Sequence, residues 1–164
     1  MKFVALIPLL FLLVACGYKP TSHYTKAVLG SKIYIQVPPP AHDPISGITI
    51  HNYLNQAINF TFKSHLVPKE EANTILNIEK IEHSITELQK DENGFTILYR
   101  TNVALHSYLK NENFSKRFIV YGYHDYTVSA NSLSYEEIRI NAIKEASLKA
   151  AAELATKITS IGAL

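Results

Sequence analysis

Residues 95–109 read FTILYRTNVALHSYL, and in this stretch Ile97, Tyr99, Thr101, Val103, Leu105 and Leu109 fall on alternate positions. A period of two sends one set of side chains to each face of an extended strand. A strand of this length needs hydrogen-bonded neighbours and a layer that covers its apolar face. The turn residues KDENG, with Gly94 at the end, stand directly before it. The segment upstream of that turn is therefore expected to be the first arm of a long hairpin.

That upstream segment, residues 72–94, carries two patterns. Ile78, Ile81, Ile85 and Leu88 fit a helix, whereas Thr74, Leu76 and Ile78, followed by Ile81, His83 and Ile85, fit a strand that changes face near Glu79 and Lys80. A β-bulge produces such a change, because one extra residue inverts the alternation that follows. The adjoining hairpin turn favours a strand over residues 73–88.

Downstream, KNENFSK at residues 110–116 is a second polar turn, and RFIVYGYHDYTVS is a third strand rich in β-branched and aromatic residues. Ser134, with Glu137 three residues later, has the form of a capping box, and Glu136 and Glu137 suit a helix N-terminus. Ile143, Ala146, Ala150, Leu154, Ile158 and Ile161 then form an apolar stripe at helical spacing. Glu145 with Lys149, and Glu153 with Lys157, are i,i+4 pairs.

Upstream, KIYIQV at residues 32–37 alternates as a half-buried strand and is stopped by three prolines at 38–40. Residues 44–62 read as an amphipathic helix, with Pro44 in the first turn and Ile48, Leu54, Ala57, Ile58 and Phe62 on one side. The expected fold is α+β: a two-layer sandwich of order β-α-β-β-β-α, in which a four-stranded mixed sheet carries both helices on one face.

The N-terminus has a different character. Met1 and Lys2 precede an apolar run from Phe3 to Ala15, which is shorter than the roughly 20 residues a membrane span needs. The layout is that of a secretory signal peptide, residues 1–15. Leu13, Val14 and Ala15 lead to Cys16, the only cysteine in the chain. This has the form of a bacterial lipobox, in which the cysteine is acylated and becomes the first mature residue. Residues 16–31 are then a lipidated tether, and residues 32–164 one domain. A single cysteine permits no internal disulfide, so stability must come from a packed core.

Sixteen Lys and Arg stand against fourteen Asp and Glu, a net charge of +2 that gives no reason to expect nucleic acid as a partner. No nucleophile elbow, zinc-protease motif or phosphate-binding loop is present. His124 and Asp125 are neighbours on a strand, so their side chains point to opposite faces and cannot act together. His83, His106 and His124 could approach one another across strands, but no spacing motif fixes them as ligands. The expectation is a non-catalytic protein with no metal and no cofactor. Tyr99, Tyr108, Tyr121, Tyr123 and Tyr126 concentrate on the two long strands, either as half-buried sheet residues or as a contact surface.

A chain that begins its mature part CGYKP, continues as β-α-β-β-β-α with a DENG turn leading to Tyr99 and Arg100, and ends in a long alanine-rich helix, resembles the LptE family of lipopolysaccharide-assembly lipoproteins. The resemblance covers residues 16–161. It implies an outer-membrane lipoprotein that plugs an LptD-type β-barrel, helps that barrel assemble and contacts lipopolysaccharide. Gly17 lacks the aspartate that retains some lipoproteins in the inner membrane, in keeping with that location. No motif places the lipopolysaccharide contacts. Lys90, Lys116 and Arg117 near the turn ends and Arg100 within the strand are the candidates, and each taken singly also reads as a solvated charge. Two other classes share the anchor and a small α/β domain: an auxiliary lipoprotein of an ABC-type lipid transporter and a periplasmic activator of a cell-wall synthase.

Overall fold

A computed structural model describes residues 32–39, 44–63, 65–128 and 134–161. The expected signal peptide over residues 1–15, Cys16 and the expected tether over residues 16–31 lie outside the described residues. The elements are β1 (Ile33–Gln36), α1 (Pro44–Phe62), a 3-10 turn (Lys69–Glu71), β2 (Thr74–Lys90), β3 (Thr96–Asn111), β4 (Ser115–Thr127) and α2 (Tyr135–Ile161). The sheet order is β1-β2-β3-β4, with β1 parallel to β2 and the other two pairs antiparallel. The expected α+β sandwich with a mixed sheet is the observed fold.

The β2–β3–β4 meander is set by two turns that use the same device. Asp91 Oδ1 accepts the Asn93 and Phe95 N–H groups at 2.9 and 2.8 Å, and Asn111 Oδ1 accepts the Asn113 and Phe114 N–H groups at the same two distances. Short polar side chains that bond their own backbone two residues on are the usual makers of such turns. Gly94 adopts a φ of +83°, a left-handed conformation that costs glycine nothing.

The ambiguous segment is a strand throughout. Ile78 pairs with Ser107 and Lys80 with His106, so Glu79 is the extra residue of a β-bulge. After it the inward positions change from Leu76 and Ile78 to Ile81, His83 and Ile85, in register with Leu105, Val103 and Thr101. The helical spacing seen in this stretch arises because the bulge shifts the phase of a period of two.

One core joins all layers. Ile33, Leu76, Ile78, Val103, Leu105, Leu109, Phe118 and Val120 from the sheet pack with Ile50, Leu54, Ile58 and Phe62 of α1 and Ile143, Leu154 and Ile158 of α2. Each fully buried aliphatic side chain contributes about 1.5–3 kcal/mol relative to exposure. In α1 the buried stripe runs through Ile50, Leu54, Ile58 and Phe62, while Ile48 is 51% exposed. The expected placement of Ile48 on that stripe is corrected: strict i,i+4 spacing from Phe62 reaches Ile50. The α2 stripe follows the expected positions, with Ala142, Ser147 and Ala151 added. Arg139 donates to Ser46 Oγ at 3.2 Å, and Lys144 lies over Tyr53. The two helices therefore run parallel, with their N-terminal ends together.

At Gly122 the strand and helix backbones meet. A Cβ built there would stand 2.1 Å from the Ala146 carbonyl oxygen and 2.3 Å from the Ala150 nitrogen. Glycine on the strand and alanines on the helix are what allow α2 to rest on β4. Gly122→Ala should lower stability by about 3 kcal/mol, the upper range of overpacking costs, because backbone rather than a flexible side chain must give way. Gly94→Ala meets no atom within 4 Å and should cost only about 1 kcal/mol from its positive φ. Urea denaturation of the two variants checks this order.

Candidate functional site: the open face of the sheet

The helices cover one face of the sheet, and among the described residues nothing covers the other. Alternation assigns to this open face Glu79, Glu82 and Thr86 of β2, Arg100, Asn102, Ala104, His106 and Tyr108 of β3, and Arg117, Ile119, Tyr121, Tyr123 and Asp125 of β4. The face is organised by cross-strand pairs. Arg100 Nε and Nη2 donate to the two Asp125 carboxylate oxygens at 2.6 and 2.8 Å, and the guanidinium lies 4.5 Å from the Tyr123 ring centre. Arg117 donates to Glu79 at 3.2–3.3 Å and sits 4.6 Å over the Tyr108 ring. Planar guanidinium groups favour this combination of bidentate carboxylate and aromatic face. Between the two clusters, Glu82 accepts from Lys80 at 2.5 Å and lies 3.4 Å from His106.

The charges are tuned accordingly. The hydrogen bonds from Arg100 hold the Asp125 carboxyl below its ordinary value, and those from Lys80 and then His106 do the same for Glu82. A depressed carboxylate stabilises the fold above its unfolded-state value, and that contribution disappears as pH falls through the folded value.

The candidate cations are dispersed. Arg100 and Arg117 sit in separate clusters, eight positions apart along β3 by register, or about 26 Å at 3.3 Å per residue. Lys90 lies at the hairpin end, 3.5 Å from Glu87. Lys116 is the second residue of β4 and has no ion pair among the described residues. Nothing in the residue order marks Glu79 and Asp125 as the carboxylate partners of the two arginines. A bulge position facing an arginine two strands away has no signature in a linear pattern.

The histidines do not converge. His106 is on the open face, whereas His83 and His124 pair in register with the inward Val103 and Thr101, and His83 lies 2.9 Å from the Thr101 hydroxyl. No group of three or more His, Cys, Asp or Glu that could hold a metal occurs among the described residues. The tyrosines divide. Tyr126 is buried and stacks on Tyr99 with ring centres 5.5 Å apart, while Tyr121 and Tyr123 are 63% and 52% exposed. Burial pushes the Tyr126 phenol up to about 12. No helix among the described residues is long and apolar enough to cross a membrane.

Among solved structures, the rare lipoprotein B from Shewanella oneidensis superposes with a TM-score of 0.61 at 11% identity, covering 80% of this chain and 96% of that one. The fold is that of solved bacterial lipoproteins. A minor lipoprotein from Acinetobacter baumannii matches with a TM-score of 0.54 at 10% identity, over 80% of this chain and 92% of its own. Lipoprotein B from Nitrosomonas europaea matches with a TM-score of 0.53 at 16% identity, over 81% and 84%. At such identities the likeness is one of fold. No protein-family model matches the chain, and no curated protein matches it.

Two titrations test the electrostatics. Asp125→Asn should remove part of the loss of thermal stability seen as pH falls below about 4, because the carboxylate's contribution is present above that value and lost beneath it. At the alkaline end, burial holds the Tyr126 phenol neutral up to about 12, so stability falls as pH rises from about 10 towards 12. Ultraviolet difference spectra of wild type and Tyr126→Phe should differ by one phenol ionising at about pH 12.

Proposed function

We propose that this chain is a non-catalytic lipoprotein of the outer membrane, anchored through Cys16, that fills the lumen of an LptD-type barrel, assists its assembly and contacts lipopolysaccharide there. The observation that carries this reading is the open sheet face, polar and fastened by its own ion pairs, with exposed tyrosines along one side. The lumen of a membrane barrel is polar, and a partner that fills it must offer hydrogen-bonding groups with few unpaired charges. An ion-paired face meets that requirement better than an apolar one. The lipobox at residues 13–16 and the fold shared with bacterial lipoproteins support the anchor.

Contact with an anionic headgroup would use what the internal pairs leave over. Arg100 and Arg117 each commit Nε and Nη2 to carboxylates, which leaves Nη1 of both and the Lys116 ammonium. Phosphates are bound well by such donors, and the attraction weakens with salt.

Cys16→Ala should abolish lipid attachment and release the protein from salt-washed membranes, because stable anchoring depends on the acyl chains. Normal processing and membrane retention of that variant would refute the anchor. Depletion of the protein should reduce the yield of correctly assembled barrel and make the outer membrane leaky to bulky hydrophobic compounds. Unchanged barrel assembly, together with loss of activity in an inner-membrane lipid transporter, would assign the protein to that transporter.

A further inference from the structure

The two edges of the sheet are treated differently. On the β1 edge, Ile33 N–H donates to His65 C=O at 2.7 Å and Val67 N–H donates to Ile33 C=O at 3.0 Å, so a returning segment occupies it. The β4 edge is not paired by any described strand. Asn111 N–H donates to Phe114 C=O at one end of the β3–β4 ladder and Val128 N–H to Ile97 C=O at the other, and the register between them has no slip. Hydrogen-bonded pairs recur at every second residue of an antiparallel ladder. The even positions of β4 therefore bond to β3. Arg117, Ile119, Tyr121, Tyr123 and Asp125 turn their N–H and C=O groups to the open edge.

Exposed edges are normally blunted by proline, by mid-strand charge or by a bulge. Between Phe118 and His124 the sequence FIVYGYH has no proline, no Asp, Glu, Lys or Arg, and no break in register. Beside this stretch runs a groove of about 290 Å³ between the strand edge and α2, bounded by Tyr121, Gly122, Tyr123, Lys149 and Glu153. Strand edges flanked by a helix accept extended peptides by strand addition.

The occupant is constrained by the layer above. Gly122 lies directly under the α2 backbone. A second copy joined β4 to β4 would place another α2 over a strand about 4.8 Å away. Packed helices need about 8–10 Å between axes, so two copies clash where a bare strand does not. Charge fixes the direction and chemistry. Lys116 stands without an ion pair at the start of β4, whereas Arg117 is paired with Glu79 and Asp125 at the far end with Arg100, and Lys149 of α2 reaches across the edge to 5.6 Å from the Tyr123 ring. An antiparallel segment suits this edge if it is uncharged in its middle, has apolar residues facing Ile119, Tyr121 and Tyr123, short polar residues over Gly122, and an acidic residue opposite Lys116.

We propose that β4 is a docking edge, and that an extended, proline-free segment of another protein with this pattern adds to it as a fifth, antiparallel strand. The proposal is independent of where the open face of the sheet resides.

The test uses the full-length chain in detergent and the capped nonapeptide TVSVSVTTE, whose last residue would face Lys116. At about 1 mM peptide, hydrogen exchange of the Ile119, Tyr121 and Tyr123 amides should slow by about sixfold, as occupancy at a dissociation constant of about 0.2 mM requires. The Val120 and Gly122 amides, already bonded to β3, should not change. N-methylation of the central valine should abolish the effect, and replacing the glutamate with lysine should weaken it. Tyr121→Pro, which removes an outward N–H that the β3–β4 ladder does not use, should keep the sheet and lose the protection. Absence of slowing, or equal slowing with the N-methylated peptide, would overturn the proposal. So would protection that grows with protein concentration without peptide, which would identify a second copy as the occupant.

Discussion

The contact between Gly122 and the Ala146–Ala150 backbone is the fixed point of this structure. It sets the height of α2 above the sheet and so determines which side chains fit between them. Ile143, Leu154 and Ile158 reach Val103, Leu105 and Val120 because the helix is held close at this one place. Larger residues at positions 122, 146 or 150 would raise the helix and open voids along the length of α2. Protein interiors pack near the density of organic crystals and tolerate little such displacement.

The two faces of the sheet answer to different physics. On the helix side, burial of aliphatic side chains dominates, and Thr101 finds a partner in His83. On the open side, pairing replaces burial: an arginine on β3 meets Asp125 on β4, and an arginine on β4 meets Glu79 on β2, so the strands are fastened in both senses. Exposed pairs of this kind add little stability individually. Their effect is on specificity, since they hold Tyr108 and Tyr123 beneath guanidinium groups in defined positions.

Much of this arrangement was legible in the residue order. The alternation through Leu109, the DENG and NEN turns and the alanine stripe of α2 are local signals, and each produced the element expected. Glu79 was readable as a bulge because the change of face from Ile78 to Ile81 has no simpler cause. Ile48 was misplaced because helical spacing alone admits two apolar stripes in α1, and only the position of the sheet selects the one through Ile50 and Leu54. Gly122 carried an unused signal: a glycine inside an otherwise β-branched and aromatic strand marks a close backbone approach. The pairing of Arg117 with Glu79, 38 residues away, depends on register across three strands and leaves no trace in sequence.

The unequal joining of the strands has a mechanical consequence. The meander from β2 to β4 is held by long ladders between sequence neighbours, whereas β1 is four residues long and joins in parallel after a helical crossover. A load applied from the N-terminal side reaches Ile33 before any other strand residue. It would peel the shortest ladder first and leave the three long strands and α2 intact. The most weakly joined strand is therefore the one nearest the N-terminal side of the described residues, and tension from that side can release it without unfolding the body.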